Sequence, residues 1–312
     1  MTRSILVAGG TIFVSRFIAK HFVEQGDDVT VLNRGSHPPV AGVRTIVADR
    51  HDLGHQLDGE RFDAVIDVTA YNARDVLDLA HALEHARVHS TIMISSSAVY
   101  PETNLQPFAE DVRLGRNMFW GDYGTGKIEA ERALLQCVDG AYIVRPPYLY
   151  GPMNNLYREA FVFDCAREDR RFYLPNNGDM RLQFFHIRDL CRFLELIIDE
   201  QPAQHVFNVG NPDSVTVREW VDLCYAAVGK TPTYASVDGV EPRNFFPFHE
   251  YEYSLDVHAQ QKIMPDVTPL DKGLCESYDW YRTHVDQVNT HPYTQYIDLH
   301  LAPTAQKSQP VH

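Results

Sequence analysis

The chain has few thiols and no long apolar run. Its 312 residues include five cysteines, an odd number, and no two of them form a C-x-x-C pair. This usage is typical of reduced, buried thiols in a reducing compartment. No apolar run approaches the roughly 18 residues of a membrane span. We therefore expect a cytoplasmic protein with no membrane partner.

Positive charge is also scarce. Lys and Arg number 28 against 42 Asp and Glu, which gives a formal net charge of −14. A surface of this sign repels phosphate backbones and disfavours nucleic acid as a partner. A small anionic ligand remains compatible with it, because an arginine or a helix N-terminus can hold one locally.

Internal repeats and low-complexity blocks are absent, and short apolar runs alternate with helical patterns instead. Predicted strands cover 4–8, 29–32, 43–47, 62–68, 90–94 and 141–144, and predicted helices include 72–84 and 127–137. Continuous apolar strands separated by helices predict a doubly wound parallel sheet of the α/β class.

We expect residues 1–150 to form this sheet domain, with segments near 180–210 rejoining it. Residues 151–285 are predicted to form a smaller C-terminal substrate lobe. From 286 to 312 the chain is mostly polar and contains three prolines, so we expect a loose tail there.

A glycine turn follows the first strand and opens a helix, with the sequence Gly9-Gly10-Thr11-Ile12-Phe13-Val14-Ser15. Gly9 permits a tight turn, and the free N–H groups of the helix can hold a pyrophosphate. We assign dinucleotide binding to Gly9, Gly10, Thr11 and Phe13. Ile12 and Ser15 stand where a dinucleotide fingerprint has its second and third glycines, which predicts an altered cofactor approach. A plain strand–turn–helix is the alternative.

The second strand ends in Asn33-Arg34, where NAD-binding proteins carry a carboxylate for the ribose. Arg34 can pair with a 2′-phosphate, so the sequence favours NADP over NAD. The alternative is an ordinary exposed loop arginine. Asp49, after the third strand, is either an adenine contact or a turn residue.

The run Tyr123-Gly124-Thr125-Gly126-Lys127 carries the strongest chemical signal. Tyr123 and Lys127, at i and i+4 of a helix, share one face, and an ammonium lowers the pKa of a phenol beside it. Such a pair can take a proton from an alcohol while hydride leaves the same carbon. The alternative is that Tyr123 and Lys127 simply face solvent. Ser96 and Ser97 follow the fifth strand, and they either face the ligand crevice or only cap the strand end.

Together these motifs resemble the extended short-chain dehydrogenase/reductase superfamily of NAD(P)-dependent sugar-nucleotide epimerases and dehydratases. Further landmarks occur in that family's order, from about residue 5 to 281: Ser96–Tyr100, Arg145–Pro152, Phe185–Leu190 and Phe207–Gly210. The Gly-Gly-Thr-x-Phe opening resembles an atypical branch that includes chloroplast RNA-associated proteins.

The resemblance implies a Rossmann-type fold and a catalytic set in which Tyr123 is the base, Lys127 binds the nicotinamide ribose and Ser96 polarises the substrate oxygen. It also implies a cofactor contact at Pro146 and a homodimer. We assign substrate contacts to Ser97, Asn155, Arg181 and Arg243, with surface cations as the alternative for both arginines.

Three function hypotheses remain open on the sequence. The first is an NAD(P)-dependent epimerase or oxidoreductase acting on a nucleotide sugar or a related hydroxyl substrate. Ser97 and Ala98 replace the Asp-Glu pair of 4,6-dehydratases, which disfavours dehydration. The second hypothesis is a non-catalytic dinucleotide- or RNA-binding protein with the same fold, motivated by Ile12 and Ser15. The third is a metal hydrolase, suggested by the H-x-x-E-H run 81–85. That run should lie at the N-terminal edge of the sheet, away from the ligand crevice. We therefore predict no bound metal.

Overall fold

The computed structural model describes residues 2–302. The strands are β1 (Ser4–Ala8), β2 (Asp28–Asn33), β3 (Arg44–Val47), β4 (Arg61–Asp67), β5 (Arg87–Ile94), β6 (Tyr142–Arg145), β7 (Tyr148–Tyr150), β8 (Phe172–Pro175), β9 (Arg181–Leu182), β10 (Phe184–His186), β11 (Val206–Asn208), β12 (Val215–Thr216) and β13 (Tyr234–Val237). The helices are α1 (Phe13–Glu24), α2 (Ala73–Ala82), α3 (Gly121–Cys137), α4 (Glu159–Arg167), α5 (Ile187–Glu200), α6 (Val217–Val228), α7 (His258–Ile263), α8 (Leu270–Tyr281) and α9 (Tyr293–Tyr296).

Seven parallel strands form one sheet in the order β3-β2-β1-β4-β5-β6-β11. Ile5, Leu6 and Val7 of β1 are fully buried, as expected of a central strand that is covered on both faces. The predicted doubly wound α/β fold is confirmed. The strand order reverses between β1 and β4, and the crevice beyond their carboxyl ends is where open sheets of this kind bind ligands.

Helices α2 and α3 pack side by side on the sheet. Val76 of α2 and Ala130 of α3 share a buried cluster with Met93 and Ile143 of the strands beneath them. The start of α2 is set by a capping box, in which the side chains of Asn72 and Asp75 each accept a hydrogen bond from the other residue's backbone N–H. Residue 73 is therefore a well-defined helix start directly beyond β4.

The chain separates into two compact units. The first contains the residues up to Leu149 with Phe184–Pro212 and Ser254–Val267, and so holds the whole seven-stranded sheet. The second contains Tyr150–Gln183, Asp213–Tyr253 and the residues from Thr268 onward. Within the second unit β8 pairs with β13 and β9 with β12, and the Trp220 ring lies 5.2 Å from that of Phe248.

Two sequence expectations need correction. The predicted helix 127–137 begins six residues earlier, at Gly121, so that α3 contains Tyr123, Gly124 and Gly126 as well. The tail is not loose from 286 to 302: α9 continues as a π-helical turn at Ile297–Leu301. Tyr293, Ile297 and Leu301 recur every fourth residue and are buried, which orders this segment. Residues 303–312 lie outside the described part of the chain.

Candidate active site

The glycine turn after β1 needs both of its glycines. Gly9 and Gly10 have φ angles of +123° and +90°, a region that residues with a side chain rarely adopt. A Cβ on Gly9 would lie 2.8 Å from Cβ of Ser15, and one on Gly10 would lie 2.6 Å from Cγ1 of Val31. The turn is therefore packed tightly against both β2 and α1.

Ile12 and Ser15 fit their positions without strain. Ile12 is extended, with φ −132°, and its side chain is 43% exposed. Ser15 is buried and its Oγ donates to the Ile12 carbonyl at 3.1 Å. Thr11 lies in the bend before α1, and Phe13, the first helical residue, has a left-handed φ of 31°. The first turn of α1 has no capping side chain among the described residues and no acidic residue, so its N–H groups suit an anion.

The predicted adenosine contacts lie at the ends of β2 and β3. The Asn33 side chain donates to the Gly9 carbonyl at 3.1 Å and accepts from the Gly35 N–H at 2.8 Å, which fastens β2 to the glycine turn. Arg34 is exposed on the following loop. Asp49 is exposed and its carboxylate accepts the His51 N–H at 3.0 Å, so it shapes the turn after β3.

Lys127 is only 2% exposed, on the buried face of α3. Its Nζ donates to the Ile94 carbonyl at 2.8 Å, directly at the carboxyl end of β5. Burial lowers the Lys127 pKa to about 8, against the opposing influence of Asp67, Glu131 and Asp75. This lysine is thus held inside the crevice and not in solvent.

Tyr123 and Lys127 border a common side chain, the Tyr71 ring. The Tyr123 ring centroid lies 6.4 Å from that of Tyr71, and Lys127 Nζ lies 5.0 Å from the same Tyr71 centroid. Tyr123 is 43% exposed, whereas Lys127 is covered. The Tyr123 phenol is therefore accessible from solvent, whereas the Lys127 ammonium is buried.

The serines at the end of β5 are tied into a short 3₁₀ turn, Ser97–Val99. Ser96 Oγ accepts the Ala98 N–H at 3.1 Å, and the buried Ser97 donates its backbone N–H to the Pro146 carbonyl at 2.9 Å. Ser96 does cap this turn. An oxygen that accepts such a bond still carries its own O–H for donation to a substrate oxygen.

The predicted substrate residues Asn155, Arg181 and Arg243 all belong to the second unit. The Asn155 carbonyl accepts the Asn289 N–H at 2.9 Å. Arg181 Nε donates to Ser214 Oγ at 2.9 Å, and the Arg243 guanidinium donates to the Pro247 carbonyl. Each therefore has contacts within its own unit.

A sequence profile of known enzymes covers most of the first unit: the profile described as NAD dependent epimerase/dehydratase family matches residues 5–210. The chain belongs to this epimerase/dehydratase family. The resemblance inferred from its motifs is confirmed.

The similar proteins carry names with different roles. The chain is 26% identical over 305 residues to the chloroplast stem-loop binding protein of 41 kDa b from Arabidopsis thaliana, covering 89% of this chain and 79% of the relative. It is 23% identical to UDP-glucose 4-epimerase of Corynebacterium glutamicum, covering 72% and 80%. The solved structure of dTDP-glucose 4,6-dehydratase from Bacillus anthracis, in complex with NAD, superposes with a TM-score of 0.74 at 17% identity, covering 92% and 99%.

Gly124 and Gly126 of α3 also belong to the candidate site, and the sequence analysis did not identify them as site residues. A Cβ on Gly124 would lie 2.4 Å from the Ala98 carbonyl oxygen, and one on Gly126 would lie 2.3 Å from that of Tyr71. Helix α3 therefore touches the backbone beyond both β4 and β5. The sequence Y-G-T-G-K was the available signal, because glycines between two reactive side chains indicate that another backbone segment approaches the helix closely.

A buried polar network behind the serines was also missed. Arg145 forms two bonds to Glu131, of 2.9 and 2.6 Å, and a third to the Tyr100 hydroxyl at 2.8 Å. Tyr100 in turn donates to Asn208 at 2.7 Å, and Ser95 donates to Glu131. These bonds join α3 to β5, β6 and β11, which immobilises the strand ends that carry Ser96.

A second ion pair, which the sequence analysis did not predict, lies at the carboxyl ends of β3 and β4. The Arg50 guanidinium lies 2.6 Å from the Asp67 carboxylate and donates to Thr69 Oγ1 at 3.3 Å. Thr69 also approaches the position that a Gly9 Cβ would take, at 3.2 Å. Arg50 thus joins the loop after β3 to the end of β4.

Within residues 2–302, no three His, Cys, Asp or Glu side chains cluster as metal ligands do. None of the helices in this range combines the length and the apolar character needed to cross a bilayer.

We predict that Gly126→Ala lowers the free energy of unfolding by about 1–3 kcal/mol, because the new methyl group meets the Tyr71 carbonyl. Helix propensity alone would stabilise the variant by roughly 1 kcal/mol. Urea unfolding measures the difference, with Leu135→Ala on the exposed face of α3 as the control. A Gly126→Ala protein as stable as wild type would contradict the close approach.

We predict that Lys127→Met stabilises the fold at pH 7, by about 1–2 kcal/mol after the lost Ile94 hydrogen bond is deducted. The folded-state pKa of about 8 lies below the ordinary 10.5, so the charged lysine opposes folding below pH 8. This penalty fades as pH rises from 8 to 10.5, and the gain should fade with it.

Urea titrations at pH 7 and pH 10 measure this gain. Lys20→Met, which removes an exposed lysine of α1 paired with Glu24, is the control and should show no such pH dependence. Destabilisation by Lys127→Met at pH 7 would show that Lys127 is a structural cation.

Proposed function

We propose that this chain is an NAD(P)-dependent epimerase or oxidoreductase that acts on a nucleotide sugar or a related hydroxyl substrate. The observation that carries the proposal is the position of the accessible Tyr123 and the buried Lys127 against one ring, at the carboxyl end of β4 and β5. The names of the relatives support it, since they include a UDP-glucose epimerase and an enzyme solved with NAD.

The first unit has the groups that a dinucleotide needs. The uncapped first turn of α1 with Gly9, Gly10, Thr11 and Phe13 would hold the pyrophosphate. At the adenosine end we assign Asn33, Arg34 and Asp49, and at the nicotinamide ribose Lys127 and Pro146. When bound, the nicotinamide supplies a reversible hydride acceptor.

The protein residues handle the proton. Tyr123 takes it from the substrate hydroxyl, and the Lys127 ammonium favours the phenolate form of Tyr123. The Ser96 O–H donates to the same substrate oxygen, while its Oγ is held in place by the Ala98 N–H. Ser97 and Ala98 are buried and lack carboxyl groups, which disfavours elimination of water.

Substrate recognition is assigned to Ser97, Asn155, Arg181 and Arg243. Guanidinium groups suit the diphosphate of a nucleotide sugar, because they bind phosphate oxygens in a bidentate manner. We further propose a homodimer and a cytoplasmic location.

The RNA-binding alternative is supported by Ile12 and Ser15 in the glycine turn, by the Gly-Gly-Thr-x-Phe opening and by the name of the chloroplast stem-loop binding relative. The net charge of −14 and the complete Ser96, Tyr123 and Lys127 set support the enzyme instead. Calorimetry with NADH, NADPH and a short RNA hairpin separates the two functions. Binding of the hairpin without either dinucleotide would refute the enzyme proposal.

Tyr123→Phe tests the catalytic base. We expect turnover of the active member of a panel of UDP-, GDP- and dTDP-sugars to fall by about 10²- to 10⁴-fold, because the proton acceptor is lost. Dinucleotide affinity should be unchanged. Tyr142→Phe, at the amino end of β6, is a matched control in which a different phenol loses its bond to the Pro202 carbonyl. Full activity in Tyr123→Phe would reject this residue as the base.

Arg34→Leu tests the preference for NADP. We expect the wild-type protein to bind NADPH more tightly than NADH, and the variant to bind NADPH roughly tenfold more weakly, because a charged hydrogen bond to the 2′-phosphate is lost. NADH binding should not change. Arg61→Leu removes the same charge at the amino end of β4, the end away from the ligand crevice, and serves as the control. Equal NADPH binding by Arg34→Leu and wild type would argue for an ordinary loop arginine.

A further inference from the structure

Tyr71 is the side chain that Lys127 and Tyr123 share, and the motifs do not account for it. It follows β4 and is 53% exposed, so one part of its ring faces solvent while another covers Lys127. The distance of 5.0 Å from Lys127 Nζ to the ring centroid lies within the range in which an aromatic face attracts a cation.

The backbone of Tyr71 is held on both sides. Its N–H donates to the Asp75 carboxylate at 2.7 Å, as part of the polar start of α2, and His51 Nε2 lies 3.3 Å from the other oxygen of Asp75. Its carbonyl lies against Gly126, at a distance that leaves no room for a Cβ. Because both peptide groups are fixed, the ring is placed over Lys127 by the packing of α2 against α3.

We propose that Tyr71 is a positioning residue whose ring face holds the Lys127 ammonium in its charged form beside Tyr123. The catalytic consequence rests on the proposed function, but the ring–ammonium interaction itself does not. An ammonium that is almost fully buried loses its hydration, and an aromatic face returns part of that stabilisation.

Other charges act on Lys127 from several elements: Asp67 at the end of β4, Asp75 on α2 and Glu131 on α3 raise its pKa, and Arg50 after β3 lowers it. Two of these carboxylates already have cationic partners, Glu131 with Arg145 and Asp67 with Arg50. Their attraction for Lys127 is therefore partly offset. The Tyr71 ring contributes without such an offset.

Tyr71 itself remains uncharged while Lys127 titrates. Partial desolvation of this half-exposed side chain, followed by the nearby Asp67 and Asp75, raises the Tyr71 pKa above that of an ordinary phenol. Its effect on Lys127 is therefore that of a neutral ring. Tyr71 is also unsuited to act as the base, a role that stays with Tyr123.

Two substitutions isolate the ring face. Tyr71→Phe keeps the ring and removes only the hydroxyl. Tyr71→Leu keeps apolar cover over Lys127 and removes the ring quadrupole. We expect the Lys127 pKa to be unchanged in Tyr71→Phe and to fall by about 0.5–1 pH unit in Tyr71→Leu.

The Lys127 pKa is measured directly by NMR of the full chain labelled with [¹³Cε]lysine. The chain has six lysines, so the spectrum is simple, and the signal that Lys127→Met lacks identifies Lys127. Unchanged signals of the other lysines show that each variant is folded. An identical Lys127 pKa in Tyr71→Leu and wild type, or an equal fall in Tyr71→Phe, would overturn the proposal.

Kinetics then test the consequence for catalysis. The alkaline limb of kcat/KM should move to lower pH in Tyr71→Leu, in parallel with the NMR titration, and should stay in place in Tyr71→Phe. If the NMR titration shifts but no sugar nucleotide is turned over, the inference about Tyr71 stands and the proposed function fails. If substrate is turned over and the two variants titrate alike, only the inference fails.

Discussion

The burial of Lys127 is the constraint on which the rest of the site depends. An ammonium taken out of water needs acceptors, negative charge or an aromatic face around it. The Ile94 carbonyl, the Tyr71 ring and the nearby Asp67 supply these from two neighbouring strand ends. The lysine can occupy this position only because α3 packs directly against the backbone beyond those strands. Gly124 and Gly126 allow this close approach because they have no Cβ.

Paired charges keep this arrangement in place. The Glu131–Arg145 pair lies on the β5–β6 side of Lys127, and the Arg50–Asp67 pair lies on the β4 side. Ion pairs removed from solvent add little to stability, because desolvation offsets much of their attraction, but their geometry is specific. Both pairs join elements that are distant in sequence, so they define where the strand ends stand relative to α3. The same strand ends carry Ser96 and Tyr71, which connects the core charges to the reactive face.

The glycine turn shows how far a motif can be interpreted from sequence. The turn itself and its place between a strand and a helix followed from Gly9 and Gly10. The absence of further glycines predicted an altered cofactor approach. In the structure Ile12 is in ordinary extended backbone, and the unusual dihedral angle falls on Phe13. A dihedral angle at a helix start depends on how the helix packs against its sheet, and a one-residue pattern does not record that packing.

The parallel α/β sheet was predictable from the amino-acid sequence, because apolar runs of strand length separated by helices have few other ways to be buried. The spacing of four also predicted that Tyr123 and Lys127 lie one helical turn apart, and α3 covers both residues. That Tyr71 is their neighbour and that Arg145 pairs with Glu131 could be seen only in the folded protein. Those contacts depend on which strand ends lie side by side and on how closely α3 approaches them, and both are set by long-range packing.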